Sequence, residues 1–357
     1  MTLIGRWFRR TFNDPQVLLL VSILLAGLLA LVLFADALAP VIAALVFAFV
    51  LDGPLEWLKR RGLGNLSAAA VVFAGFLAFV AIAALLILPP LSGQVVQFVE
   101  LLPTMLGRLR EALLTLPELY PGLITEDFVR EVIDGMQQSL TELGRDVVST
   151  TVSGVTSAIT MLVYLILISV LLFFFLKDKR AILGWMAGFL PHERSLADRV
   201  WIEVVQRAGD YVRGKVYEII IVGAVTWIVF TLLDLRFPTL LAVITGFSVV
   251  IPYVGAAVVT LPVAFVAFFQ WGLEGEFFIA VGAYLVLQAL DGNLLAPLLF
   301  SEVVKLHPNA IILAILIFGS IWGMWGVFFA IPLATLAHAV IKAWPRHDAP
   351  PEEGAGA

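Results

Sequence analysis

Cysteine is absent from this chain, and charged residues are scarce. Without cysteine, disulfide bonds, thiolate metal sites and cysteine nucleophiles are all excluded. Only 14% of the 357 residues are charged, whereas 61% are hydrophobic, and the mean hydropathy is +1.02. These values are typical of a polytopic membrane protein, which has lipid as its surroundings. No basic patch with interleaved aromatic residues occurs, so nucleic acid is not expected as a partner.

Catalytic motifs are missing as well. The sequence has no phosphate-binding glycine loop, no His-Glu-x-x-His motif and no Gly-x-Ser-x-Gly motif, and its four histidines are scattered along the chain. We therefore expect neither an enzyme nor an ATP-driven pump, and no cofactor or metal. A secondary transporter or a channel remains, and polar groups inside apolar segments would mark its site.

Six apolar segments are long enough to cross a bilayer as single helices. They cover residues 16–34, 37–58, 66–88, 155–176, 216–233 and 277–300, and Pro89-Pro90 is predicted to end the third. Residues 91–150 and 177–215 instead combine charges with apolar residues at helical spacing, which predicts amphipathic helices outside the bilayer. The 91–150 segment would either lie on a surface or form coiled-coil-like contacts between subunits.

Two further apolar runs, 237–269 and 308–343, are interrupted by proline and glycine. The first breaks at residues 251–255, and the second has glycines at its centre. Each helical arm would have about 13 to 15 residues, roughly 20 Å, which is too short to cross a core of about 30 Å. Both runs are therefore predicted to be re-entrant helical hairpins; kinked crossings are the alternative. The predicted fold is an all-α polytopic membrane protein with about eight membrane segments.

The two broken runs resemble each other in the spacing of their breaks. Pro238 and Pro262 are 24 residues apart, as are Pro308 and Pro332, and each run follows one ordinary span. This pattern predicts a weak internal repeat of a span plus a broken hairpin, which many transporters place around a binding site.

The distribution of positive charge predicts the orientation. With both termini in the cytoplasm, 17 of the 22 Lys and Arg residues face inward, which agrees with the positive-inside rule for an inner-membrane protein. The expected segments are the first three membrane helices (1–90), an extracytoplasmic segment (91–150), a fourth span with an interfacial helix (151–215), a transport core with both hairpins (216–343) and a C-terminal tail (344–357).

Polar residues near the breaks are the candidate pathway. Gln288 and Asp291 share a helix face, and a buried carboxylate that accepts a proton could exchange H⁺ for a cation; the alternative is that Asp291 caps backbone groups or lies among lipid headgroups. Hydroxyls at Thr226, Thr245 and Ser248 could add oxygen ligands, although such hydroxyls more often bond their own backbone. The candidate substrate or ion residues are Pro252, Tyr253, Gly255, Gln288, Asp291, Asn293, Gly323 and Gly326, and Pro332 is a candidate gating or structural residue.

Five short motifs occur in a characteristic order. They are YVRGK at 211–215, IPYVG at 251–255, LDGNLLAP at 290–297, LHP at 306–308 and GMWGVFFAIPLA at 323–334. Together they resemble the autoinducer-2 exporter family of bacterial membrane proteins, also called PerM-like permeases, over nearly the whole chain. This chain departs from the family pattern at Asp291, where many relatives have glutamate, and at Trp325, where the residue is often aliphatic.

The resemblance implies an inner-membrane transporter that assembles as a homo-oligomer. Carried over position by position, it also implies functional roles for Pro252, Tyr253, Gly255, Asp291 and Asn293, and it makes His307 and Pro308 candidate gating or structural residues. Members of the family have been linked to export of the quorum signal autoinducer-2 and, in other branches, to extrusion of sodium or lithium in exchange for protons. The expected function is therefore export of a small polar solute or cation/proton antiport, with H⁺ or Na⁺ as the coupling ion and lipid as a partner. The alternative is a non-transporting membrane scaffold that uses its amphipathic segments as interaction surfaces.

Overall fold

The computed structural model describes residues 15–119, 127, 130, 131, 133, 135, 154–191, 194–252, 254–300 and 307–343. Over these residues the protein is helical and contains no strand. The helices are α1 (Pro15–Leu33), α2 (Ala35–Arg60), α3 (Asn65–Leu119), α4 (Gly154–Ala187), α5 (Ser195–Leu232), α6 (Pro238–Ser248), α7 (Val254–Trp271), α8 (Gly275–Leu290), α9 (Ala296–Phe300), α10 (Pro308–Phe328) and α11 (Ala330–Ala343). A π-helical turn, Asp291–Leu295, joins α8 to α9. The predicted tail at 344–357 and most of 120–150 lie outside the described residues.

Within the described residues, eight helical segments are long and apolar enough to cross a membrane. They lie in α1 to α5, in α7, in α8 continued through α9, and in α10, whereas α6 and α11 are shorter apolar helices. This confirms the predicted class, an all-α polytopic membrane protein with about eight membrane segments. The arms of the broken runs are unequal, however, because α6 has 11 residues and α7 has 18. At 1.5 Å per residue α7 is about 27 Å long, so arm length alone does not decide between a re-entrant hairpin and a crossing.

Helix α3 continues through Pro89-Pro90, so the prediction that these prolines end the third helix is wrong. The helix has 55 residues, a length of about 82 Å. Proline removes a backbone donor and disfavours the helix locally, but the Ser92 hydroxyl donates to the carbonyl of Pro89 at 3.0 Å. Beyond the prolines, contacts of Gln94 and Phe98 with the start of α6 hold the helix in place.

Helix α5 also joins two segments that the sequence separated. It runs unbroken for 38 residues through the predicted interfacial segment and the predicted span at 216–233. Charged and apolar stretches therefore share one axis, and no break occurs at residue 215. In α4, by contrast, Asp178 has non-helical dihedral angles (φ −111°, ψ 19°), which produces a kink two residues after the predicted end of that span.

The chain forms two compact units. The first comprises Met1–Ala69, Leu171–Tyr217 and Leu295–Ala357, and the second comprises Ala70–Val170 and Glu218–Leu294. In the first unit, one apolar cluster joins α2, α5, α10 and α11, and another joins α1 to the start of α5. In the second unit, the core lies among α5, α6, α7 and α8.

Helices α6 and α7 pack against each other and form hairpin 1. Leu241 near the start of α6 and Val263 in the second half of α7 share one buried cluster, as expected when the second helix doubles back on the first. Gln270 closes the open end, since its Oε1 accepts from the Arg236 amide at 2.7 Å and its Nε2 donates to the Asp234 carbonyl at 2.6 Å. Asp234 has a positive φ of 51°, a conformation that side-chain sterics disfavour, and Gln270 helps to stabilise it.

The start of hairpin 1 is held by polar contacts from α3 and α5. Gln94 accepts from the Leu240 amide at 2.9 Å, which satisfies a backbone donor that the first turn of α6 leaves unpaired. The Gln94 amide and the Trp227 indole both donate to the Thr239 hydroxyl, at 3.3 and 3.2 Å.

Small residues let α5 and α6 approach closely. A Cβ on Gly246 would lie 2.9 Å from the Ile219 carbonyl and 3.1 Å from the Cα of Gly223. In lipid, helices associate through such close packing and not through the hydrophobic effect. The glycine pair therefore helps to hold hairpin 1 against α5.

Candidate functional site

The turn of hairpin 1 requires glycine at position 255. A Cβ at Gly255 would overlap the carbonyl oxygen of Ser248 and lie 3.1 Å from the Ser248 Cβ. The first turn of α7 thus rests directly on the last residue of α6. The half-buried Pro252 lies in the connecting turn, and Tyr253 lies outside the described residues.

Residues 308–322 and 324–343 form hairpin 2, in which the second arm comprises the end of α10 and all of α11, and its turn makes a similar close contact. The chain doubles back at Gly323, which has φ +58° and ψ −137°, and a Cβ at Gly326 would overlap the carbonyl oxygen of Phe318. Ser248 and Phe318 each lie ten residues after the proline that begins their helix. The two hairpins therefore share the contact that makes each turn possible, which supports the predicted internal repeat.

A buried chain of side-chain hydrogen bonds links α8 to hairpin 1; we call it the Tyr284 network. The Tyr284 side chain is 0% exposed, and its hydroxyl donates to the carbonyl of Ala256 at 2.8 Å. Gln288 Nε2 donates to the same hydroxyl at 2.6 Å, and the Thr260 hydroxyl donates to the Ala256 carbonyl at 2.9 Å. Two side chains, Tyr284 and Thr260, thus bond one carbonyl in the first turn of α7, next to Gly255, and Gln288 joins them through the Tyr284 hydroxyl.

The LDGN motif occupies a distorted part of the chain. Asp291 begins the π-helical turn after α8 and is half-buried, with its Oδ1 shielded from solvent. Asn293 is exposed, and its amide donates to the Ala289 carbonyl at 2.8 Å, which is a bond to its own helix. Single π-helical turns are rare and often occur at functional sites. Among the candidates near this end of α8, Gln288 is linked to hairpin 1, because it donates to the Tyr284 hydroxyl, which itself bonds the Ala256 carbonyl of α7.

The remaining candidates have structural contacts. His307 is exposed and caps α10, because its Nδ1 accepts from the Asn309 amide at 3.2 Å. Pro308 is the first residue of α10, and Pro332 is buried inside α11. Gly323 is exposed at the turn of hairpin 2.

Two hydroxyl groups in the second half of α6 bond their own backbone. Thr245 donates to the Leu241 carbonyl and Ser248 to the Thr245 carbonyl, each at 2.7 Å. Thr245 and Ser248 were predicted either to provide oxygen ligands or to bond their own backbone, and the structure shows the backbone bond for both. Thr226 on α5 is fully buried.

Several buried polar residues of the described segments were not among the sequence candidates. Tyr284, Tyr211, Lys215 and Glu218 are all nearly inaccessible, and the last three lie on α5. Tyr211 and Lys215 belong to the YVRGK motif, so the motif was the signal that could have identified them. The charge-rich residues that precede them made this stretch resemble a solvated surface. Among the residues that the structure describes, no group of three or more acidic or histidine side chains could hold a metal ion.

Apolar spans, hairpins with glycine-dependent turns and a buried polar chain define a multi-pass helical membrane protein. Comparison with known proteins gives the family: the model described as "AI-2E family transporter" matches residues 21–346, and the chain belongs to this family. It is 43% identical over 345 residues to "Putative permease PerM" of Escherichia coli K12, covering 97% of this chain and 98% of that protein.

More distant relatives have similar lengths. "Putative transport protein YrrI" of Bacillus subtilis is 25% identical over 318 residues, covering 86% of this chain and 85% of that protein. A "Putative transport protein" of Thermotoga maritima is 23% identical over 333 residues, covering 92% and 94%. The protein is accordingly a membrane transporter, as the motif order indicated.

Proposed function

We propose that the protein is a secondary transporter of the bacterial inner membrane that exports a small polar solute. In this proposal both termini are cytoplasmic, the hairpins are re-entrant, and the working form is a homo-oligomer. The observation that supports it most is the Tyr284 network, which ties the turn of hairpin 1 to a membrane-spanning helix.

The network matters because polar backbone at membrane depth must be satisfied by protein or by a water-filled cavity. Residues 249–252 break the helical ladder, and the Ala256 carbonyl next to this break accepts two side-chain bonds. Breaking the bond from Tyr284 would release the turn from α8 and expose polar backbone to a passing solute. Hairpin movement and solute passage are thereby coupled through Tyr284 and Gln288.

Other candidates have related roles in this proposal. Pro252 shapes the turn of hairpin 1, Gly323 and Gly326 shape the turn of hairpin 2, and Tyr253 keeps its predicted role as a residue of the solute path. Asn293 stabilises the end of α8, while His307, Pro308 and Pro332 set the ends and bend of hairpin 2.

Cation/proton antiport is the second candidate function, and the position of Asp291 favours it. One oxygen of this carboxylate is shielded where the chain leaves α-helical geometry. Ionisable groups inside membrane segments are costly and are commonly part of ion or proton pathways. Asp291 would bind H⁺ or Na⁺ in alternation.

Transport in proteoliposomes with an imposed pH gradient tests the coupling role. We expect Asp291→Asn to abolish the dependence of transport on the gradient, because an amide cannot exchange a proton. Glu276→Gln is the matched control, since Glu276 is an exposed carboxylate in the first turn of the same helix. An Asp291→Asn protein with unchanged rate and unchanged pH dependence would show that Asp291 does not couple transport to protons.

A further inference from the structure

The end of α4, in the first compact unit, carries an exposed aromatic pair. Trp185 is 68% exposed and Phe189 is 73% exposed, and their ring centres are 4.9 Å apart in an edge-to-face arrangement. Leu183 and Met186 beside them are exposed as well. We call these four side chains the Trp185 patch. An exposed apolar patch of this kind marks a surface that contacts a membrane or another protein.

Lys177 marks the point where the apolar part of α4 ends. It follows the apolar run 155–176, and its Nζ lies 5.7 Å from the centre of the exposed Phe174 ring. A lysine that keeps its stem on apolar surface and its charge in water is typical of a helix end at the membrane interface. On a straight axis Trp185 would lie about 12 Å beyond Lys177, which is outside a headgroup layer of roughly 5 to 8 Å.

The kink at Asp178 allows the helix to avoid this position in water. Its non-helical dihedral angles change the direction of α4 directly after Lys177, and residues 179–187 form a separate helical arm. An arm that turns along the membrane surface keeps Trp185 and Phe189 at headgroup depth, where aromatic side chains are enriched. The Trp185 patch is then continuous with the exposed apolar surface of the preceding span.

Basic residues from two helices lie around this kink. The Asn65 side-chain amide donates to the Lys177 carbonyl at 2.6 Å, and Lys179 Nζ donates to Asp52 at 3.0 Å. The last turns of α2 and the start of α3 therefore lie beside the kink of α4. We call the basic residues gathered here the basic end; they are Lys59, Arg60, Arg61, Lys177, Lys179 and Arg180.

The arginines of the basic end have no carboxylate partner among the residues that the structure describes. Each lysine has one: Lys59 pairs with Glu56, Lys177 with Asp178 and Lys179 with Asp52. Arg60, Arg61 and Arg180 are exposed. The Arg61 guanidinium lies 4.1 Å from the centre of the exposed Trp57 ring, which restrains its position. The planar fork of a guanidinium matches the geometry of a phosphate.

We propose that Arg60, Arg61 and Arg180 bind the phosphates of anionic phospholipids, with the Trp185 patch embedded at headgroup depth beside them. Charge complementarity selects this occupant, because the charge left over at the basic end is positive and a membrane surface that contains phosphatidylglycerol is negative. In the proposed orientation the basic end faces the cytoplasm. The inference goes beyond the proposed transport function, since lipid binding at this surface requires no solute.

Titration of the detergent-solubilised full chain with dioctanoyl phosphatidylglycerol, followed by thermal stabilisation, tests the proposal. Each basic residue near an anionic surface contributes about fivefold to binding. We therefore expect Arg60→Gln/Arg61→Gln/Arg180→Gln to bind this lipid roughly a hundredfold more weakly, and Arg60→Lys/Arg61→Lys/Arg180→Lys to retain most of the affinity. Arg236→Gln is the control, because Arg236 is an exposed arginine of the other compact unit, and it should bind as the unaltered protein does. Should the triple glutamine variant not fold, Arg180→Gln replaces it, with about fivefold weaker binding expected.

Three outcomes of the titration would overturn the proposal. Equal stabilisation by dioctanoyl phosphatidylcholine, or unchanged affinity for phosphatidylglycerol in the triple glutamine variant, would show that the arginines do not recognise an anionic headgroup. Competition by inorganic phosphate at the concentration of the lipid would assign the site to a soluble anion. An equal loss of affinity in the lysine and glutamine variants would assign the arginines a packing role.

The position of the Trp185 patch is tested separately in vesicles of phosphatidylcholine and phosphatidylglycerol. Because the chain lacks cysteine, a nitroxide attached to Trp185→Cys is a single probe. The accessibility of this nitroxide to oxygen, relative to a water-soluble nickel chelate, should have the value of the headgroup region, and the value of bulk water would contradict the proposal. Spin–spin broadening between labels would instead assign the patch to a contact between two copies of the chain. Should this variant not fold, Phe189→Cys carries the label.

Discussion

Replacing Gly255 with alanine is expected to disrupt hairpin 1 without touching any other helix. The added Cβ would overlap the Ser248 carbonyl oxygen and lie 2.5 Å from its carbon. Both atoms are backbone, so they cannot move aside by a change of side-chain rotamer. Overpacking of this kind costs typically about 1–3 kcal/mol, and backbone overlap belongs at the upper end or beyond.

Thermal unfolding of the detergent-solubilised protein measures this cost. Unfolding entropy of about 2.1 cal/mol/K per residue converts 3 kcal/mol into a lower midpoint by roughly 4 °C for a chain of 357 residues. Gly282→Ala is the control, because nothing lies within 4 Å of its added Cβ and alanine is favoured over glycine in a helix by about 1 kcal/mol. The control should be neutral or slightly stabilising. Equal midpoints for Gly255→Ala and the unaltered protein would refute the tight turn.

Three other predictions concern the second unit and the topology. Tyr284→Phe should cost about 1–3 kcal/mol in the same unfolding assay, because it leaves Gln288 without its acceptor, and an unchanged midpoint would contradict the network. Gln270→Ala should raise amide hydrogen exchange at residues 234–236, which lose both of its bonds; unchanged exchange would count against this closure. Because the chain lacks cysteine, Leu273→Cys and His307→Cys report accessibility cleanly. If the hairpins are re-entrant, position 273 lies outside the cell and position 307 lies in the cytoplasm. If the broken runs are kinked crossings, the two positions lie on the opposite sides.

The breaks in the apolar runs were predictable because glycine and proline act locally. Positions 255 and 326 were identified from spacing alone, and the structure shows the carbonyl that each glycine accommodates. The same local reasoning failed at Pro89-Pro90. A proline penalty describes an isolated helix, whereas α3 is held beyond the prolines by Gln94 and Phe98, and such support from another part of the chain leaves no local signal.

The polar site was only partly predictable for a related reason. Gln288 was identified by its spacing from Asp291, but its partner Tyr284 resembles an ordinary aromatic residue of an apolar helix. Lys215 follows several charged residues, which made it resemble a residue of a solvated surface. Its burial depends instead on the position of Phe300, which is 85 residues away in the sequence. Burial of a polar group by distant segments is a property of packing, and periodicity along one helix does not contain it.

The continuity of α3 has a mechanical consequence for hairpin 1. The helix extends 25 residues, or about 37 Å, beyond Gln94, the residue that bonds the first turn of α6. A rigid rod attached near its middle to the start of a hairpin acts as a lever. A force that tilts the distal end of α3 is therefore transmitted to the first helix of hairpin 1.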